Sequence, residues 1–191
     1  IEIFYQLQAD TSEPFREMFE NLNYYMNNEE VKLIFTDDPE FYFTGTLTQV
    51  ETPEPGSNHI TSSFQFECMD AYKYAVIPQT WKFEHTGKFM QMSLYPVLLE
   101  KIEIKALSNT ATTIITNKNT GQFIRVDGSL NSGNYFTIDF TNAEVRLFNG
   151  QDITSSMYLL SDFEDFSVEY GEELVTNINA EVTVTYRQRR L

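Results

Sequence analysis

The chain has 191 residues, 41% of them hydrophobic and 15% aromatic, which is enough apolar surface for one large or two small folded domains and too much for a disordered chain. Thirteen basic against twenty-eight acidic residues give a formal net charge of −15; that balance repels phosphate backbones and anionic lipid, so nucleic acid is excluded as a direct partner, and no apolar run reaches the roughly 18–20 residues of membrane insertion. The single cysteine, Cys68, leaves no intrachain disulfide, and its neighbours Phe64, Phe66 and Met69 predict a buried thiol.

The first residue is Ile1 rather than Met, so the start of the reading frame is expected upstream. Residues 1–8 alternate Ile1, Ile3, Tyr5 and Leu7 against Glu2, Gln6 and Gln8, broken only at Phe4, which is the period of a half-buried strand. Asp10 with Glu13 three residues on has the pattern of a capping box, and Pro14 is tolerated in a first helical turn. Phe15, Met18, Phe19, Leu22, Tyr25 and Met26 then recur at helical spacing, predicting one amphipathic helix over 11–27. Strands over 31–36 and 41–50 flank an acidic turn, Asp37-Asp38-Pro39-Glu40, where Pro fixes φ and Asp bonds the local backbone, so a hairpin is expected. A loop rich in Pro, Gly and Ser over 51–58 leads into 59–68, where Ile60, Ser62, Phe64, Phe66 and Cys68 alternate with mostly polar residues in a further half-buried strand.

Beyond Tyr74 helical spacing disappears, and short alternating segments separated by Asn, Gly and Asp signals take over, as in an all-β sandwich. The boundary is expected at 75–80, giving domains 1–76 and 77–191. Strands are predicted over 80–84, 97–105, 111–117, 121–126, 135–139, 144–148, 167–170 and 180–187. Asp127-Gly128 and Asn149-Gly150 each have the signature of a tight hairpin turn. Helix plus strands followed by strands alone predicts a mainly β fold with an α+β first part.

Residues able to do chemistry are few. His59 and His85 fall in separate domains, and one cysteine adds no clustered ligand set, so no zinc or iron site is expected. No Gly-x-Ser-x-Gly elbow occurs, and Gly128, Gly133 and Gly150 are scattered turn residues rather than a phosphate cradle. Paired acids of a glycosidase could be sought among Asp162, Glu164, Asp165, Glu169, Glu172 and Glu173, but in a chain this acidic such pairs arise by chance on solvated faces. Asp37, Asp38 and Glu40 lack the spacing of a calcium loop and read as a turn. Trp81, Tyr95, Tyr135, Phe136, Phe148 and Tyr158 leave a carbohydrate-binding module as the alternative function, although most alternate with polar residues as core positions do. The basic cluster Arg187, Arg189 and Arg190 reads as a soluble tail or an intersubunit strand. No catalytic, cofactor-binding or metal residue is assigned.

Three stretches carry a family resemblance. Residues 31–74 read VKLIFTDDPEFYFTGTLTQVE, a polar loop, and SSFQFECMDAYKY; residues 95–153 contain YPVLLEKIEI and NKNTGQFIRVDGSLNSGNYFTIDFTNAEVRLFNGQDI; the end has SDFEDFSVEYGEELVTN and VTVTYRQRRL. Their order and spacing resemble the siphophage distal tail protein family. That resemblance implies an incomplete barrel with one helix followed by a galectin-like β-sandwich, and a structural protein without enzyme activity or cofactor. It further implies a homo-hexameric ring at the virion tail tip, assembled in the host cytoplasm. The partners implied are the tail tube protein, a tail-associated fibre or lysin protein, and receptor-binding proteins. The family's opening strands would precede Ile1.

Overall fold

In the computed structural model the described residues are 1–26, 30–48 and 56–191. The helix end expected at 27, the strand end expected at 49–50 and most of the loop expected over 51–58 lie outside them. The chain forms two compact units, Ile1–Lys73 and Tyr74–Arg190.

The first unit contains β1 (Glu2–Gln8), α1 (Ser12–Met26), β2 (Val31–Phe35), β3 (Asp38–Thr48) and β4 (His59–Cys68). Within it β1 pairs with β4, β4 with β3 and β3 with β2, all antiparallel. Directly opposed residues such as Tyr5 and Ser62, Leu47 and Phe66, and Leu33 and Phe43 share a face of the sheet. Period two therefore gathers Ile3, Tyr5, Leu7, Ile60, Phe64, Phe66, Leu47, Phe43 and Leu33 on one side, and Thr44, Thr46, Thr61, Ser63, Gln65 and Glu67 on the other. Phe4 breaks the pattern and stands exposed on the polar side. Helix α1 packs against β1 and buries Phe15 and Met26, with Phe15 and Phe19 stacked.

Three local expectations need correction. The helix begins at Ser12, and its first turn closes through the Phe15 N–H donating to the Thr11 carbonyl, so Thr11 rather than Asp10 precedes it. Tyr25, expected inward, is 67% exposed, because at 3.6 residues per turn it lies about 80° round the helix from Phe15, at the rim of the apolar stripe. The hairpin turn is Thr36-Asp37, with Phe35 opposite Asp38, so Pro39 falls near the start of β3, where a missing N–H is tolerated.

In the second unit β5 (Lys73–Ala75) begins at the division, and β6 (Gln79–Glu84), β7 (Thr86–Lys88), β8 (Leu98–Ala106), β9 (Thr110–Asn117), β10 (Phe123–Leu130), β11 (Tyr135–Asp139), β12 (Glu144–Leu147), β13 (Glu173–Thr176), β14 (Ala180–Arg187) and β15 (Arg189–Arg190) follow. Nine of these strands run in the order β10-β9-β13-β7-β6-β14-β8-β11-β12. β6 and β7 meet only at Glu84 opposite Thr86, across His85 at φ +53°, so the order divides into halves of five and four strands. Ile102, Ile104, Ile138, Val182 and Val184 from one half and Ile115, Ile124, Val126 and Leu174 from the other enter one core of twenty buried apolar residues, making a β-sandwich. Phe89 stands at its centre in edge contact with Trp81 and Tyr186.

The strand expected over 180–187 coincides with β14, and Asn149-Gly150 is a turn with Gly150 at φ +83°. Asp127-Gly128 is not a hairpin turn. The chain runs on to Leu130, Gly128 does not take a positive φ, and the Asp127 carboxylate instead accepts from Thr112 on the paired strand and from Arg125. Residues 167–170 form no strand, although Val168 is buried and its carbonyl accepts from the Val97 N–H.

Candidate functional site

The residues with catalytic potential occupy structural posts. His59 is hydrogen-bonded to Gln6 at 2.9 Å, while the His85 Nδ1–H donates to the Ile178 carbonyl at 3.0 Å, and the two lie in different units. Cys68 is half-buried at the end of β4, not enclosed in the core as its neighbours suggest, because Met69 beyond it turns out to solvent. Asp38 is ion-paired with Lys73, and with Asp37 it lines an open cleft floored by Phe35, Phe41 and Phe43. Among the described residues no three His, Cys, Asp or Glu side chains group as metal ligands do, and no helix is long and apolar enough to cross a membrane.

Three of the six acids between 162 and 173 hold loops in place through their carboxylates. Asp162 accepts from the Phe123 N–H, and Glu172 from the Glu169 N–H and from Asn117. Glu173 accepts from Lys118 and from the Thr86 hydroxyl, and those donors hold its carboxyl below the usual range. Asp127 is lowered by the Arg125 guanidinium and Asp152 by the Thr154 hydroxyl. For Asp139 burial works to raise the pKa, yet Lys101 and Asn142 together outweigh it and the net shift is downward. Protonating a glycosidic oxygen requires the opposite displacement. Asn117, fully buried, is a residue the sequence reading passed over: it donates to the Ser167 carbonyl and to Glu172, and accepts from the N–H groups of Asn119 and Thr120.

The aromatic candidates are dispersed. Phe136 is core, Trp81 packs on Phe83 and Phe89, Tyr135 meets Phe148 at 6.3 Å, and Tyr158 lies 4.9 Å from the Arg125 guanidinium. Arg187 belongs to β14, pairs with Glu100 and donates to the carbonyls of Ala75 and Val76, so it is no free tail.

What the second unit presents outward is set by how its edges end. The free side of β12 receives residues 151–153: Leu147 donates to the Gln151 carbonyl, Ile153 to the Val145 carbonyl, and Arg146 bridges Asp152. The same segment then reaches the free side of β10, where Val126 bridges Met157, Tyr158 donates to the Arg125 carbonyl and Asp162 to the Phe123 carbonyl. One latch thus covers both terminal strands of the nine, leaving neither edge as a template for another chain. Two loops of this unit expose large apolar side chains: Met90, Met92 and Leu94, and Leu159 with Leu160.

Comparison with known proteins agrees with this architecture. Residues 95–189 match the family model described as siphovirus-type tail component, C-terminal domain. No curated protein matches. Among solved structures, the chain is similar to SPP1 Dit (gp 19.1), described as a paradigm of hub adsorption apparatus in Gram-positive infecting phages. The TM-score is 0.70 at 17% identity, over 100% of this chain and 78% of that one. A mainly antiparallel fold with one α-helix among the described residues and a family match lying within the sandwich lead to one assignment: the chain carries the C-terminal domain of the siphovirus-type tail component family, the siphophage distal tail proteins.

Proposed function

We propose that this chain is a non-catalytic tail-tip protein that closes into a homo-hexameric ring joining the tail tube to the fibre and receptor-binding apparatus. Residues 1–76 are the ring-forming domain and 77–191 a galectin-like sandwich that projects towards the outer proteins. Assembly takes place in the host cytoplasm, and the partners are the tail tube protein, a tail-associated fibre or lysin protein, and receptor-binding proteins.

The observation that carries this reading is the likeness to SPP1 Dit along the whole of this chain together with the family match of its sandwich. The physical chemistry supports it. A ring requires each copy to offer two different complementary surfaces, and the first unit has an apolar sheet face whose Ile3, Tyr5, Leu7, Leu33, Phe43 and Leu47 stay only half-buried in the single chain. The sandwich has a filled core and latched edges, as suits an independent body carried outward.

Light scattering coupled to size exclusion on the complete reading frame, followed by negative-stain imaging, tests the ring. Six copies in a closed annulus is the expected result. A strict monomer at all concentrations, also in the presence of the tail tube protein, overturns the ring, and a monomer retained on a glycan array favours a carbohydrate-binding module.

A further inference from the structure

The residues from Tyr158 to Ser161 form a turn closed by the Ser161 N–H donating to the Tyr158 carbonyl at 2.9 Å. Its two central residues are leucines, Leu159 97% and Leu160 70% exposed. Central turn positions ordinarily go to Pro, Asp, Asn, Ser or Gly, each for a backbone reason that leucine lacks. Nor is the turn a loose tip. On one side the Tyr158 N–H donates to the Arg125 carbonyl at 2.8 Å, and its ring lies against the Arg125 guanidinium. On the other the Asp162 N–H donates to the Phe123 carbonyl at 2.9 Å, the Phe123 N–H to Asp162 Oδ2 at 2.8 Å and the Arg125 N–H to Ser161 Oγ at 3.1 Å. Two apolar side chains are therefore held out from a fixed strand edge. An anchor that is ordered before binding loses little entropy when it docks.

The charge around the turn selects the occupant. Asp162, Glu164 and Asp165 follow within five residues of Leu160, and none of them is in an ion pair among the described residues. A second copy is poorly suited to meet them: its net charge is −15, and among the described residues at least seven of its thirteen basic side chains are already ion-paired. We propose that the turn at Leu159 and Leu160 is a docking knob for a different protein, one that offers an apolar pocket rimmed by lysine and arginine. This goes beyond the tail-tip reading and rests on it only for where the partner is sought.

The test places the photo-crosslinker p-benzoylphenylalanine at Leu159, at Leu160 and, as control, at exposed Ser155 on the same latch, in the full-length protein made during phage production. Adducts are sedimented and their sites sequenced by mass spectrometry. The expected result is one foreign polypeptide, joined at Leu159 and Leu160 but not at Ser155, at an apolar residue neighboured by Lys or Arg. Its yield should fall severalfold when salt is raised to about 0.5 M. Adducts to a second copy, to lipid or to no polypeptide overturn the knob, as does a foreign site without basic neighbours. Whether the adduct sediments with tails reads the tail-tip assignment separately. A Leu159→Ser/Leu160→Ser variant with an unchanged circular dichroism spectrum should lose the partner at least tenfold; full retention also overturns the inference.

Discussion

Asp139 shows how much a single buried carboxylate does in this sandwich. It ends β11 and accepts from the N–H groups of Thr141 at 3.0 Å and Asn142 at 3.1 Å and from the Asn142 amide at 3.1 Å, with Lys101 3.0 Å away. Its folded pKa is depressed, so the stability linked to its charge is fully present above about pH 4 and is lost as pH falls through the lower folded value. Asp139→Ala is expected to cost about 2–3 kcal/mol at pH 7, with the deficit against the parent shrinking below about pH 4. Denaturant unfolding at pH 7 and pH 3 checks this, and an equal deficit at both would show that the charge contributes nothing. This role could not be read from the sequence, because nothing in an Ile-Asp pair says which backbone groups will converge on the acid. Asp127-Gly128 misled in the opposite direction: the dipeptide signals a turn only where the ladder ends, and here the side chain bonds across to Thr112 and the strand continues.

At the scale of elements, what period and length could reveal was legible. β4, β11 and β14 stand where alternation puts them, and α1 starts within a residue of its predicted start. β7 and β13, of three and four residues, are too short for a period to register, although β13 links β9 to β7 in one half of the sandwich. The latch over both sheet edges was equally invisible, since it is built from backbone groups of an irregular segment. β7 depends on a glycine: a Cβ at Gly87 would stand 2.4 Å from Cγ of Phe83. Gly87→Ala should therefore lose about 1–3 kcal/mol, seen as a lower denaturant midpoint with an unchanged slope. Phe83→Ala in the same chain should recover part of that loss by removing the clash, and strictly additive effects in the double-mutant cycle would place the cost of Gly87→Ala elsewhere.

For the whole molecule, the distribution of buried apolar residues sets how the two units stand as folding units. All twenty residues of the principal core lie in the second unit, from Phe89 to Tyr186, whereas the apolar side chains buried in the described part of the first are only Phe15, Met26, Phe41, Tyr42, Ile60 and Phe66. A domain of this size can stabilise itself once it has a filled core and the terminal strands of its main sheet are covered. Arg187 also ties the strand leading out of the sandwich to the start of the unit through Ala75, Val76 and Glu100. A fragment spanning 74–190 is accordingly expected to fold alone and remain monomeric at micromolar concentration. It should give one cooperative thermal transition that coincides in near- and far-ultraviolet circular dichroism. The six ion pairs with partners in this unit are mostly surface-exposed and contribute little each, so raising salt should move that transition by only a few degrees. Loss of near-ultraviolet signal well below the far-ultraviolet midpoint would mean that the core needs the first unit to hold its packing. In that case the sandwich would be a dependent part of the fold rather than an autonomous domain.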